Sequence, residues 1–214
     1  MAITTLNLRG INRSDTATSG QVITATSAVA ADFQDAGGGM WTKIKHQTIT
    51  SATASMDFVD GTSDVVLDGT YEYYMIMFRN AVNGTSDKIL QVLISTDTGS
   101  TWETTGYKSF GYQAAYEIGQ TARQNRTTTF TVMNSCPHTA GEGMSGWIVF
   151  TSPATAIKPS CFYNITAKNS QHSDGMNWTG GGIYDTATTF DGIRFIPNTG
   201  TITTLQATLY GHTD

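Results

Sequence analysis

From Trp41 onward the chain alternates apolar and polar positions over short runs, and glycine, asparagine, aspartate and serine separate the runs. A period of two puts successive side chains on opposite faces of an extended backbone and predicts half-buried β-strands. Strands are expected over Lys43–Thr50, Ser55–Val59, Tyr71–Phe78, Ile89–Ile94, Thr127–Val132, Gly146–Phe150, Cys161–Thr166, Gly192–Pro197 and Thr201–Tyr210. Tyr71–Phe78 is almost wholly apolar, which suits a central strand. Asn198-Thr199-Gly200 reads as the turn of a C-terminal hairpin. Tyr107–Arg126 does not alternate and reads as a long loop with a helical turn, a place for variable binding residues. Gly180-Gly181-Gly182, just after Trp178, reads as a bend at a strand entry. Many short strands with turn signals between them predict an all-β fold, an antiparallel jelly-roll-like β-sandwich.

Residues 1–40 differ. Thr16 to Ser27 is small, polar and nearly uncharged, and the segment ends in Gly37-Gly38-Gly39, whose backbone freedom marks a hinge. Such a stretch cannot bury enough surface to fold alone. The expected organisation is an extended N-terminal attachment arm with its hinge over 1–40, followed by a sandwich domain over 41–214. Leu8, Ile11, Val22, Ile23 and Phe33 are the arm's apolar anchors.

Composition sharpens this picture. Only 14% of the 214 residues are charged and threonine fills about a sixth of the chain. β-Branched and aromatic residues fit a pleated surface, while the helix formers Lys and Glu are scarce, so a helical bundle is excluded. The formal net charge of -5 and the lack of a Lys/Arg cluster exclude nucleic-acid binding through a basic surface. No apolar run is long enough for a helix to insert into a membrane. Met1–Leu6 has neither a basic n-region nor an apolar h-region, so synthesis without a secretory signal is expected. Cys136 and Cys161, the only cysteines, lack metal spacing and are expected to be reduced.

Few residues carry chemistry. Ser95-Thr96-Asp97-Thr98-Gly99-Ser100-Thr101-Trp102 matches the Asp-box pattern, Ser-x-Asp-x-Gly-x-Thr-Trp, which resembles the repeats of sialidase propellers. Those glycosidases carry several boxes and an arginine triad, whereas here there is one box. Ser95, Asp97, Gly99, Thr101 and Trp102 are therefore expected to build a structural turn: Asp97 accepts from turn amides, Gly99 supplies a positive φ and Trp102 packs over the corner. His46, His138, His172 and His212 have no ligand spacing. Asp57, Asp60, Asp64 and Asp68 crowd one stretch without the offsets of a calcium loop, and read as solvated turn acids. Cys136 is followed by Pro137-His138, but neighbours in extended chain point apart, so no Cys-His nucleophile is expected. No catalytic residue, metal or cofactor emerges. The aromatics Tyr107, Phe110, Tyr112 and Tyr116, with Trp178 and Tyr184 in a second Gly-rich stretch, offer either stacking surfaces for sugar rings or packing beneath loops.

The arm, Leu8-Arg9-Gly10-Ile11-Asn12, then Ser19-Gly20-Gln21-Val22-Ile23-Thr24-Ala25-Thr26 and Phe33 to Gly39, resembles segments of bacteriophage tail-fibre and virion structural proteins. The body is similar to a phage β-sandwich module through Trp41-Thr42-Lys43-Ile44, Met56-Asp57-Phe58, Ser95 to Trp102, and Gly192-Ile193-Arg194-Phe195 running to Gly211. That resemblance implies a non-enzymatic protein of the virion surface, assembled in the host bacterium, forming a homotrimer and joined to other tail or capsid proteins. Two placements follow from it: a short tail fibre touching host-surface glycans, or a capsid decoration protein whose arm clamps capsid subunits.

Overall fold

The computed structural model describes residues 21–25, 31–35, 40–115, 119–125, 128–151, 153–168 and 175–213. The chain divides into two compact units at Met40/Trp41. In the first, β1 (Gln21–Ala25) pairs antiparallel with β2 (Ala31–Asp35), and Ile23 stands opposite Phe33 and Val22 opposite Gln34. A stretch expected to be extended arm thus carries a short strand pair. Leu8 and Ile11 lie outside the described residues.

The second unit is an antiparallel β-sandwich, and its described residues contain no helix. Its strands are β3 (Thr42–Ile49), β4 (Met56–Val59), β5 (Tyr73–Asn83), β6 (Lys88–Ser95), β7 (Tyr107–Ala115), β8 (Gly119–Asn125), β9 (Phe130–Cys136), β10 (Met144–Thr151), β11 (Ser160–Lys168), β12 (Gly175–Tyr184), β13 (Gly192–Pro197) and β14 (Ile202–His212). Eight strands form one sheet in the order β3-β14-β5-β10-β11-β12-β7-β8, and four form the other in the order β4-β13-β6-β9. β9 packs across β7, β11 and β12. Between the sheets lie Phe58, Phe130, Phe150, Phe190 and Phe195, with Tyr74, Ile76 and Trp178, all fully buried. The rings meet edge-on, as their quadrupoles favour: Tyr107–Phe130 at 4.7 Å and Phe78–Phe195 at 5.6 Å between centroids.

Three expectations are corrected. Tyr107–Arg126 is no loop with a helical turn: β7 and β8 pair along their length, from Ser109 opposite Asn125 to Ala115 opposite Gly119. Gly180-Gly181-Gly182 is no entry bend but lies within β12, bonded to β11 on one side and β7 on the other. A Cβ on Gly180 would stand 2.2 Å from the Phe110 carbonyl oxygen, and one on Gly182 would stand 2.8 Å from the Phe130 ring, so these glycines let large inner side chains fit. The last two strands form no hairpin, since β13 belongs to the four-stranded sheet and β14 to the eight-stranded one. Asn198 is held to the start of β6, where its amide donates to the Ile89 carbonyl (3.0 Å) and its Oδ1 accepts from the Ile89 amide (2.9 Å). Gly200 then turns at φ +87° and sends the chain across to the other sheet.

Candidate functional site

The Asp-box closes on itself. The Asp97 carboxylate accepts from the Thr101 amide (2.8 Å), the Thr101 hydroxyl (2.7 Å) and the Ser95 hydroxyl (2.9 Å), while Ser95 Oγ accepts from the Gly99 amide (2.8 Å). Gly99 sits at φ +75°. Donation from the Thr101 hydroxyl, then from its amide, holds the Asp97 carboxyl below the usual carboxylate range. Trp102 packs over the corner beneath Arg194, whose guanidinium carbon is 4.1 Å from the indole centroid and whose nitrogens grip Asp57 in a two-pronged pair (2.8 and 2.6 Å). A carboxylate so fully employed within its own turn is a fastening.

The other candidates for chemistry are also engaged. Asp60 accepts from the Leu67 amide (2.7 Å), Asp68 accepts from Thr70, and Asp64 pairs with Lys45 at 3.8 Å. Among the described residues, no three His, Cys, Asp or Glu side chains converge as metal ligands. Cys136 and Cys161 are free thiols in the core, and burial pushes the Cys136 thiol up to about 12 and the Cys161 thiol higher still, away from the reactive thiolate. Among the same residues, no helix is long and apolar enough to cross a membrane.

Lys108 and Lys158 both pair with the Asp185 carboxylate, and their hydrogen bonds hold it down to about 2. A carboxyl depressed in the folded state stabilises fully above its unfolded pKa of about 3.9. That contribution is lost as pH falls through about 2. Urea unfolding at pH 5 and pH 2.5 is expected to show a smaller acid-induced loss in Asp185→Asn than in the parent chain.

The aromatic candidates split between the two faces of the large sheet. Tyr107, Trp178 and Tyr184 point inward and are buried, so they are not available to a sugar. Tyr107 Oη accepts from the Ile94 amide (3.0 Å) and donates to the Glu103 carbonyl (3.1 Å), Tyr184 Oη donates to Glu103 Oε2 (2.9 Å), and Trp178 Nε1 donates to Tyr163 Oη (3.2 Å). Tyr112 points outward and is 60% exposed, as is Phe110 two residues before it. Tyr116 lies outside the described residues.

Strand register places Phe110 and Tyr112 in company that sequence reasoning missed. One row of opposed outward residues runs Tyr210, Met75, Val149, Phe162, Gly181, Phe110, across β14, β5, β10, β11, β12 and β7. The next row runs Thr208, Met77, Trp147, Asn164, Thr179, Tyr112. Trp147 and Phe162 touch edge-to-face at 5.7 Å, and Met77, Phe162 and Tyr73 are exposed. Gly181, opposed to Phe162 on one side and Phe110 on the other, puts no side chain between these two positions. Tyr73, Met77, Phe110, Tyr112 and Phe162 are all exposed on this face, and exposed apolar surface gathered on one face is often functional. The signal was present in the sequence: in β5, Tyr73, Met75 and Met77 occupy the alternate positions that a solvated face would fill with polar residues.

No family model matches the chain, and no curated protein matches it. Among solved structures, it is similar to one described as "Structure of infectious bursal disease virus Gx strain", at a TM-score of 0.14 and 15% identity. The match covers 88% of this chain and 44% of that one.

Proposed function

We propose that the chain is a non-enzymatic structural protein of a bacteriophage virion, a trimeric short tail fibre whose sandwich displays a flat recognition surface for host glycans. The observation that carries the recognition half is the pair of outward rows on the eight-stranded sheet, with Phe110, Tyr112 and Phe162 exposed among Asn164, Thr179 and Thr208. A pyranose offers an apolar face and polar edges, and an open aromatic surface flanked by hydroxyls and amides matches both. The resemblance of Leu8–Asn12, Ser19–Thr26 and Phe33–Gly39 to fibre segments supports the virion half. Closure into a trimer would cover the sheet edges at β3 and β4, which otherwise offer unpaired backbone groups to other chains.

Gold-labelled antibody against the chain, imaged on intact virions of the phage that encodes it, tests the placement. Label at the tail is the expected result. Label spread over the head would replace the fibre with a capsid decoration protein, and no label on any particle would overturn the virion reading.

A further inference from the structure

The eight-stranded sheet is electrostatically unlike the rest of the chain. The protein has 17 acidic residues against 12 Lys and Arg, yet none of the eight strands contains an Asp or a Glu. They do contain Lys43, Lys45, Arg79, Lys108, Arg123 and Lys168, half of all the basic residues. An acidic protein has thus cleared one broad surface of anions. Lys45, Lys108 and Lys168 are neutralised from neighbouring loops by Asp64, Asp185 and Glu142. Arg79, among the described residues, pairs with no carboxylate.

Arg79 is nonetheless held in place. Its Nε donates to Gln206 Oε1 at 2.8 Å, across the β5–β14 ladder. That bond uses the inner nitrogen of the guanidinium and fixes its plane, leaving the terminal nitrogens as a paired fork of donors. His46 is fixed next door, with Nδ1 2.9 Å from Thr208 Oγ1 and Nε2 3.2 Å from Thr48 Oγ1. Arg79, Gln206, His46, Thr208, Tyr210 and Met77 line a shallow depression of about 280 Å³. This is at the lower edge of the ~300–1,000 Å³ typical of small-molecule sites and suits one sugar residue of a longer chain. Met77 shares its row with Trp147 and Tyr112, so the depression opens directly onto the apolar band.

We infer that this depression is a subsite for the carboxylate of an acidic sugar, with the rest of the saccharide lying along the aromatic rows. The inference rests on the reading of the face as a glycan surface and adds the charge of the ligand. A pre-oriented guanidinium fork matches the two oxygens of a carboxylate, while an exposed methionine beside it accepts the apolar face of the ring. An acid-free sheet lets such a ligand approach without repulsion. The geometry does not suit a nucleic-acid backbone, which needs a track of cations at phosphate spacing; here a single fixed guanidinium borders an apolar band.

The test uses the full chain and two probes: oligosaccharides of glucuronate or galacturonate, and the same oligosaccharides with their carboxyls reduced to neutral alcohols. Titration calorimetry of the parent chain is expected to show at least tenfold weaker binding of the reduced forms. In Arg79→Gln, binding of the acidic forms should fall to the level of the reduced ones, with the reduced forms unaffected. Arg79→Lys, which keeps the charge and loses the fork, should fall between. Equal binding of acidic and reduced forms would overturn the carboxylate subsite and leave the glycan surface standing. Acid preference that survives both Arg79 variants, or equally tight binding of single-stranded DNA, would place the anion elsewhere and overturn it as well. Binding of neither form would remove the subsite, and Phe110→Ala and Tyr112→Ala chains assayed against host-surface polysaccharide would then decide the glycan reading separately.

Discussion

Replacing Trp178 with alanine is expected to lower the stability of the sandwich by about 3–5 kcal/mol, whereas Tyr112→Ala should leave it within about 0.5 kcal/mol. The two positions lie on neighbouring strands of one sheet and face opposite ways. Trp178 is 1% exposed, its ring fills the space between the sheets, and its Nε1 donates to Tyr163 Oη. That hydroxyl in turn donates to the Thr131 carbonyl at 3.0 Å, so it ties β11 of the large sheet to β9 of the small one. Removing the indole leaves a cavity and strips one partner from a buried phenol, two costs that add. Tyr112 stands opposite Thr179 on the outer face, and its truncation only returns apolar surface to water that already wets it. Urea unfolding monitored by circular dichroism reads both values. Equal effects would mean that the two faces have been assigned the wrong way round.

Gly180→Ala should cost more than about 4 kcal/mol, a magnitude reserved for a few mechanisms, here overpacking against backbone. The new methyl would lie 2.2 Å from the Phe110 carbonyl oxygen, 2.7 Å from Gly111 Cα and 2.7 Å from Tyr163 Oη. Two of those atoms belong to the backbone of β7, which is fixed by its ladders to β12 and β8. Relief requires β7 and β12 to separate. Gly175, five residues earlier on β12, provides the control, since a Cβ there meets nothing within 4 Å and its φ lies outside the left-handed region. Gly175→Ala should change stability little or raise it slightly, by up to about 1 kcal/mol, through loss of unfolded-state freedom. Thermal melts of the two variants side by side check the contrast.

These two positions also explain what the sequence concealed. Ile89–Ile94 or Gly192–Pro197 reads directly as strand, because large apolar residues crowd toward the core. β7 inverts the pattern: Ser109, Gly111 and Gln113 face inward while Phe110 and Tyr112 face water. Gly111 has no side chain because Tyr163 and Trp178, projecting from β11 and β12, occupy the volume in front of it. A search for apolar-in, polar-out alternation cannot find such a strand, since the information lies two strands away. Gly180 and Gly182 were misread for the same reason, as glycine signals a bend locally and a close approach only in three dimensions. Asn198-Thr199-Gly200 reads as a turn and is one, yet nothing local states whether the chain returns along the same sheet or crosses to the other.

The candidate surface was legible only in part. Phe110 and Tyr112 stand out as aromatics with polar neighbours, but Tyr107, Trp178 and Tyr184 look identical in sequence and are core. What separates them is strand parity, and parity needs the register. The acid-free character of the large sheet was hidden for a related reason. Its eight strands are scattered from Thr42 to His212, and the carboxylates that set the overall charge of -5 lie elsewhere along the chain, Asp57 in β4 and Asp32 and Asp35 in β2 among them.

The proposed glycan surface is the outer face of the eight-stranded sheet. Hydroxyl-radical footprinting of the full chain, with and without purified surface polysaccharide of the host, tests it most directly. Met77, Trp147, Phe162, Phe110 and Tyr112 are expected to lose reactivity together on binding, while Trp102 at the Asp-box corner keeps its own. Protection centred on Trp102 and the turn around Asp97, with the outward rows unchanged, would contradict it.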